Sequence, residues 1–198
     1  MNKLKIIHQT ITGFCKEFID HPYLCYTEHG QHALFYSKLY RVLPEDQRYI
    51  TCQQQKVCII QKEYPTADKL DKPRRQHWDI AVLQDNAIQY DYINILAAIE
   101  FGMNEAEEHL AEDIRRLEHT EANVENGIVV HLYRLSKAGQ QFSARDWSPG
   151  SSRILSLEQV RKLSEQTAIE IYYGMVDLTE SYDNGIWFIK NGYISKIV

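Results

Sequence analysis

The sequence predicts a single α/β domain in which a mixed central β-sheet is flanked by helices on its faces. The chain has 198 residues, the usual size of one domain, and it shows neither an internal repeat nor a low-complexity segment. Apolar residues recur at helical spacing in some segments and at strand spacing in others. Predicted strands first follow one another as hairpins and later alternate with helices, so antiparallel and parallel pairs should share one sheet.

The N-terminal part is predicted to form two helices. Apolar residues recur every three or four positions between Leu4 and Phe18, which predicts a first helix that ends before Pro22. A second helix is predicted from about residue 28 to residue 43, and Pro44 stops it.

The middle of the chain is predicted to be rich in strands. A polar loop is expected at 65–76, and a turn is expected at 84–86, where Gln, Asp and Asn follow one another. The apolar run after this turn is nearly continuous, which is typical of a buried central strand. Strands are predicted at 48–54, 56–64, 77–83 and 93–101.

Helices and strands are predicted to alternate in the last third. A third helix is expected after Asn104, with Glu107 completing a capping box, and a strand follows at 127–135. The segment 136–155 is predicted to be a polar loop. Ser156 and Gln159 mark the start of another helix, followed by a strand at 168–176 and a C-terminal β-hairpin extension at about 185–198.

Composition and targeting signals exclude several classes of protein. A net charge of −5 argues against a protein that coats nucleic acid through bulk positive charge. No apolar run reaches the ~18–20 residues of a membrane span, and the N-terminus lacks the pattern of a signal peptide. The four cysteines form no C-x-x-C pair. We therefore expect a cytoplasmic protein with reduced thiols and no membrane association.

Two acidic residues stand inside apolar strand segments. Asp79 lies within HWDIAVL, and Glu100 ends the run LAAIE. A carboxylate in a buried strand is costly unless it is paired or binds a metal ion. Two such groups on neighbouring strands offer the oxygen ligands that Mg²⁺ prefers, and the ion can polarise a phosphoryl oxygen or activate a water.

The chain carries, in this order, Glu28 at a predicted helix start, KEYPT at 62–66, Asp79, AIEFG at 98–102 and a predicted helix with EDIRRL at 112–117. In this order and context, these residues resemble the PD-(D/E)xK nuclease superfamily. The resemblance covers about 25–135 and implies the restriction-endonuclease-like fold, a mixed central sheet flanked by helices. It also implies Mg²⁺-dependent hydrolysis of nucleic-acid phosphodiesters, with Mn²⁺ as an alternative ion. Asp79 and Glu100 would bind the metal, and Glu28 would assist catalysis.

One residue of the superfamily pattern is missing. The triplet at 100–102 reads Glu-Phe-Gly, so glycine stands where the pattern has lysine. Residues i and i+2 of a strand share a face, and a lysine there would position the attacking water and offset negative charge. His77 is the favoured replacement, because it should share a face with Asp79 and has a suitable pKa. The other candidates are Lys62 and the pair His109 and Asp113.

Further side chains have two readings each. Glu63 is predicted as a third metal ligand or as an edge-strand acid before a turn, and Lys62 should point away from it in a regular strand. Arg74, Arg75 and Lys62 are candidates for phosphate contacts, whereas the alternative for the two arginines is a solvated loop.

For three further residues a functional role is not favoured. His29 and His32 are three apart on a predicted helix, as in some zinc sites, but no third and fourth ligand follows at metal-site spacing. Arg116 is expected to be surface charge on an exposed helix face.

The predicted function is therefore metal-dependent cleavage of nucleic acid, with DNA as the first choice. The alternative is a catalytically inactive protein of the same fold that binds nucleic acid or a protein partner, and the missing lysine supports this alternative. The apolar C-terminal hairpin could cover the sheet or form a homodimer surface.

Overall fold

The structure, a computed structural model, describes residues 2–89, 92–136, 153–179 and 183–198; of the side chains in 85–89 nothing is said. Within these ranges four α-helices and nine strands are present, besides a short 3₁₀ helix at Glu45–Gln47. The helices are α1 (Lys3–Asp20), α2 (Glu28–Val42), α3 (Glu107–Glu118) and α4 (Leu157–Ser164). The strands are β1 (Tyr49–Cys52), β2 (Gln55–Cys58), β3 (Ile60–Pro65), β4 (His77–Gln89), β5 (Tyr92–Met103), β6 (Val124–Leu135), β7 (Glu170–Asp177), β8 (Gly185–Lys190) and β9 (Tyr193–Lys196).

One seven-stranded mixed sheet forms the centre of the protein, with the strands β3 to β9 in sequence order. The central strands β5, β6 and β7 pair in parallel, because α3 and α4 provide the crossovers between them. All other neighbours in this sheet are antiparallel. The predicted α/β class with a mixed sheet flanked by helices is thus confirmed.

Helices pack on both faces of the sheet. On one face, Phe14 of α1 and Phe35 of α2 contact the ring of Phe101 in β5. The preceding residue, Glu100, contacts Arg116 of α3, and successive strand residues point to opposite faces. The α3 helix therefore covers the other face. In the described part, no helix combines the length and the apolar character needed to cross a membrane.

Three sequence predictions about the elements were wrong. The strand predicted at 56–64 is two strands, because β2 pairs with β1 in a separate sheet and β3 joins the main sheet. The turn predicted at 84–86 lies within β4, which continues to Gln89 and absorbs the polar run in a register shift opposite β5. Asn104 does not cap α3; it has a φ of 57°, and its side-chain oxygen accepts a hydrogen bond from the Arg134 backbone N–H.

Other predictions about the elements were confirmed. Helix α1 ends at Asp20, before the proline, and α4 begins with the predicted capping box of Ser156 and Gln159. The C-terminal hairpin turns at Asn191 and Gly192, both with positive φ, as an Asn-Gly turn requires. It forms the last two strands of the main sheet. Most of the predicted polar loop, 137–152, lies outside the described residues.

Candidate functional site

Asp79 and Glu100 lie side by side on neighbouring strands, as the hairpin pattern predicts. The antiparallel register pairs Ile80 with Ile99. Asp79 precedes Ile80 and Glu100 follows Ile99, so the two acids lie opposite each other. Asp79 is 19% exposed and accepts a hydrogen bond through Oδ2 from the Phe101 backbone N–H at 2.8 Å. Glu100 is only 3% exposed. Burial and the neighbouring Asp79 charge raise the pKa of the Glu100 carboxyl well above its usual range.

Arg116 of α3 is the cation closest to this pair. Its Nη2 donates a hydrogen bond to Glu100 Oε1 at 2.5 Å and another to the His77 carbonyl oxygen at 3.0 Å. The guanidinium also stacks over the Trp78 ring, with 5.2 Å to the centroid. The prediction that Arg116 is plain surface charge was therefore wrong: this side chain is 14% exposed and partners a buried acid.

Two more acids surround the pair. Glu28, the first residue of α2, accepts a hydrogen bond from the Met103 backbone N–H, and burial followed by the Asp79 charge raises its pKa to about 7. Asp113 of α3 is 3% exposed and lies 3.1 Å from His109 Nδ1. The hydrogen bond to Asp113 raises the pKa of His109 to about 9. Four acids thus face two internal cations, the guanidinium of α3 and this imidazolium.

The position of the missing lysine is filled by another side chain. Gly102 pairs with His131 of β6, and a Cβ built on Gly102 would lie 2.7 Å from His131 Nδ1. His131 is fully buried, and burial lowers its pKa to about 4, so the imidazole is neutral at pH 7. The residue at 102 is glycine because this ring occupies the space that a side chain would need.

The remaining predicted site residues lie at the rim. His77 is exposed, and among the described residues no contact joins its imidazole to either carboxylate. Arg74 and Arg75 are exposed in the loop before β4. Lys62 lies with its Nζ 3.4 Å from Glu63 Oε1, so the expectation that these two point apart was wrong. The reason is the φ of 54° at Glu63, which interrupts the alternation of β3.

A second set of possible ligands forms where α2 meets β3. One ligand atom each from His29, His32 and Glu63 lies within 4.8 Å of the other two. His29 Nδ1 is 3.8 Å from Glu63 Oε1, and His32 Nε2 is 3.5 Å from Asp79 Oδ2. A possible third ligand that sequence spacing did not supply thus comes from β3, and Asp79 of β4 lies next to His32. Glu63, predicted as a ligand with Asp79 and Glu100, lies beside these histidines.

Burial makes His32 unlike an ordinary surface histidine. Its side chain is 0% exposed, and within the described residues neither ring nitrogen has a hydrogen-bond partner. Burial lowers the pKa of His32 to about 4, so the ring is neutral at pH 7. A neutral imidazole has one nitrogen with a free lone pair, which can bind a metal ion. The sequence analysis noted His29 and His32 but set them aside, because three-residue spacing on a helix carries no information about burial or about ligands from distant strands.

Comparisons of the chain with protein-family models, with curated proteins and with solved structures each find no match.

Proposed function

We propose that this protein is a metal-dependent phosphodiesterase of the restriction-endonuclease-like fold that cleaves nucleic acid, with DNA as the first substrate to test. The observation that carries the proposal is the pair of Asp79 and Glu100, which lie together on adjacent strands with Glu100 almost fully buried. Buried carboxylates in contact repel each other unless a proton or a cation lies between them. A divalent ion such as Mg²⁺ or Mn²⁺ meets this need with oxygen ligands of the preferred kind.

The chain's own residues have separate tasks in this proposal. Asp79 and Glu100 hold the ion, which when bound polarises a phosphoryl oxygen and lowers the pKa of water. Glu28, with its pKa raised to about 7, is poised to accept a proton near neutral pH. Arg116 supplies the positive charge beside Glu100 that a motif lysine would supply. His77 stays a candidate for orienting water from the rim.

Substrate contacts are proposed for the exposed basic side chains near this edge of the sheet. Arg74 and Arg75 precede β4, and Lys62 lies on the neighbouring strand β3. Cationic side chains of this kind contact phosphates without reading sequence. Because the chain has a net charge of −5, three such residues favour local contacts with one nucleic-acid strand over nonspecific coating of nucleic acid.

The experiment is a cleavage assay on single-stranded DNA, double-stranded DNA and RNA, each with Mg²⁺ and with Mn²⁺. We expect cleavage that disappears with a chelator and falls by more than about 100-fold in Asp79→Asn and in Glu100→Gln, beyond what loss of an outer partner of a metal ligand costs. Glu45→Gln, an exposed acid distant in sequence, is the control and should keep full activity. Absence of cleavage on every substrate, with no thermal shift on adding metal, would overturn the proposal.

A second candidate function has an observation of its own. Because His131 fills the space beside Gly102, no lysine can stand there, and the pairing of Arg116 with Glu100 already neutralises one acid. This arrangement favours an inactive member of the fold that binds nucleic acid or a protein partner. Binding of labelled DNA without cleavage, equal with and without metal, would favour this second candidate.

A further inference from the structure

A second group of possible metal ligands, formed by side chains of α2 and β3, lies next to the carboxylate pair and borders it at Asp79. His29 and His32 lie on the first turns of α2, and Glu63 lies on β3. Their ligand atoms all lie within 4.8 Å of one another. In a tetrahedral zinc site with bonds of 2.0–2.1 Å, ligand atoms are about 3.3 Å apart. The distances between these ligand atoms would therefore have to shorten by about 1.5 Å at most for all three to bind one ion.

The exposure of the three side chains indicates which of them can move to bring the ligand atoms closer together. His29 is 75% exposed and Glu63 is 45% exposed, so both can change rotamer at little cost. His32 is 0% exposed and is fixed by the surrounding core, including the Phe101 ring at 5.2 Å. A site with one fixed ligand and two adjustable ligands at the surface also gives an ion a path of entry.

His32 provides the independent sign that a ligand belongs here. Among the described residues, its two ring nitrogens are buried without a hydrogen-bond partner, and a buried polar group without a partner destabilises a fold. Nε2 lies 3.5 Å from Asp79 Oδ2 without forming a hydrogen bond to it. A metal ion bound to this imidazole would give one of these two buried nitrogens a partner.

We propose that His29, His32 and Glu63 bind a zinc-class divalent ion, with Asp79 or water as the fourth ligand. Two imidazoles and one carboxylate suit Zn²⁺ and its first-row neighbours, whereas Mg²⁺ prefers a site made of oxygen ligands alone. Three protein ligands with one open position are the arrangement of reactive rather than structural zinc sites. Lys62 Nζ, now 3.4 Å from Glu63 Oε1, is displaced when the ion binds.

The proposal does not depend on nuclease activity, because its test measures metal binding. Chelator-treated protein is titrated with ZnCl₂ in a calorimeter, and CoCl₂ is used as a spectroscopic probe of tetrahedral coordination. We expect one zinc ion per chain. His29→Ala and Glu63→Gln should each weaken binding by more than about 100-fold, since loss of a direct ligand exceeds loss of an outer partner. Both positions are exposed, so these variants should fold normally.

Matched controls separate this site from the carboxylate pair. His21→Ala removes another exposed histidine, Glu45→Gln removes another exposed acid, and both should bind zinc like the native protein. Glu100→Gln should also retain zinc, because Glu100 is not among the proposed ligands. The proposal is overturned if the native protein binds no zinc, if His29→Ala binds as tightly as His21→Ala, or if Glu100→Gln alone abolishes binding. Absence of cleavage and of a Mg²⁺-dependent thermal shift in the native protein, with zinc binding intact, would overturn only the nuclease proposal.

Discussion

The carboxylate pair and the histidine set both lie around Asp79, yet they balance their charges in different ways. Glu100 has an internal cation, since Arg116 reaches it from α3 at 2.5 Å. Within the described residues, the ring nitrogens of His32 have no hydrogen-bond partner, and its neighbour Glu63 lies beside the exposed side chains of Lys62 and His29. The fold itself thus supplies a cation beside the first set, whereas under our proposal an added ion completes the second. Stability should therefore depend on internal cations at the first set and on added metal at the second.

Removal of Arg116, the cation beside Glu100, is expected to have the largest effect on stability. Arg116→Ala leaves Glu100 buried beside two other acids, and we expect the free energy of unfolding to fall by about 3 kcal/mol, the low end for breaking a buried ion pair. We expect this loss of stability to lie at the low end of that range, because the raised pKa of Glu100 favours its protonated form once the arginine is removed. Urea unfolding at pH 7 measures the change.

The neighbouring arginine is the matched control for this prediction. Arg115 is 46% exposed and pairs with Asp71, which is 69% exposed, so Arg115→Ala should change stability by about 0.5 kcal/mol or less. Added Mg²⁺ should stabilise Arg116→Ala more than the native protein. Equal losses in the two variants would mean that Arg116 does not compensate the buried acid.

A side chain at Gly102 should have a smaller, steric effect. Gly102→Ala places a Cβ 2.7 Å from His131 Nδ1, and we expect a loss of about 1–3 kcal/mol, as for other overpacked cores. Gly13→Ala on α1 is the control, because its Cβ meets nothing within 4 Å, and it should stabilise by about 0.5–1 kcal/mol. In a double-mutant cycle with His131→Ala, the two changes should couple favourably. Purely additive losses would contradict a steric origin.

The second internal cation should produce the smallest effect, and one that depends on pH. The pKa of His109 rises from 6.5 to about 9 through Asp113, so its contribution to stability is full below pH 6.5 and is lost as pH rises through 9. Glu105 and Glu28 also raise this pKa, while His131 lies nearby. The imidazole is 41% exposed, so screening limits the contribution to about 1 kcal/mol or less.

Unfolding of the native protein and of His109→Gln at pH 6 and at pH 9.5 tests this pH dependence. The gap between their unfolding free energies should shrink as pH rises. A gap that stays constant would mean that the protonated imidazole has no role in the balance of charges.

Elements that carry a local pattern could be predicted from the sequence. The apolar spacing of α1, the capping box at Ser156 and the Asn-Gly turn each depend on residues a few positions apart. The pairing of Asp79 with Glu100 also follows from a local feature, because a hairpin joins their strands. The polar run at 84–86 could not be recognised as strand, since its pairing depends on a register shift that no periodicity encodes.

The sites needed information from distant parts of the chain. Glu63 meets His29 because β3 lies beside α2, and 34 residues separate them, so no spacing rule links the two. Arg116 had a usable signal: His109, Asp113 and Arg116 are spaced by four and three residues, which places them along one side of α3. This spacing could have identified Arg116 as a partner of Asp113 rather than as surface charge.

The fully buried Arg134 of β6 ties the start of α2 to the centre of the sheet. Its Nη1 donates hydrogen bonds to the carbonyl oxygens of Pro22 at 2.7 Å and Cys25 at 3.1 Å, and its guanidinium stacks on Tyr23. Local unfolding of this segment would strip a buried charge of its acceptors. We therefore expect the helix end that carries Glu28 and the histidines to open together with the central sheet, as one cooperative unit rather than as a fraying terminus.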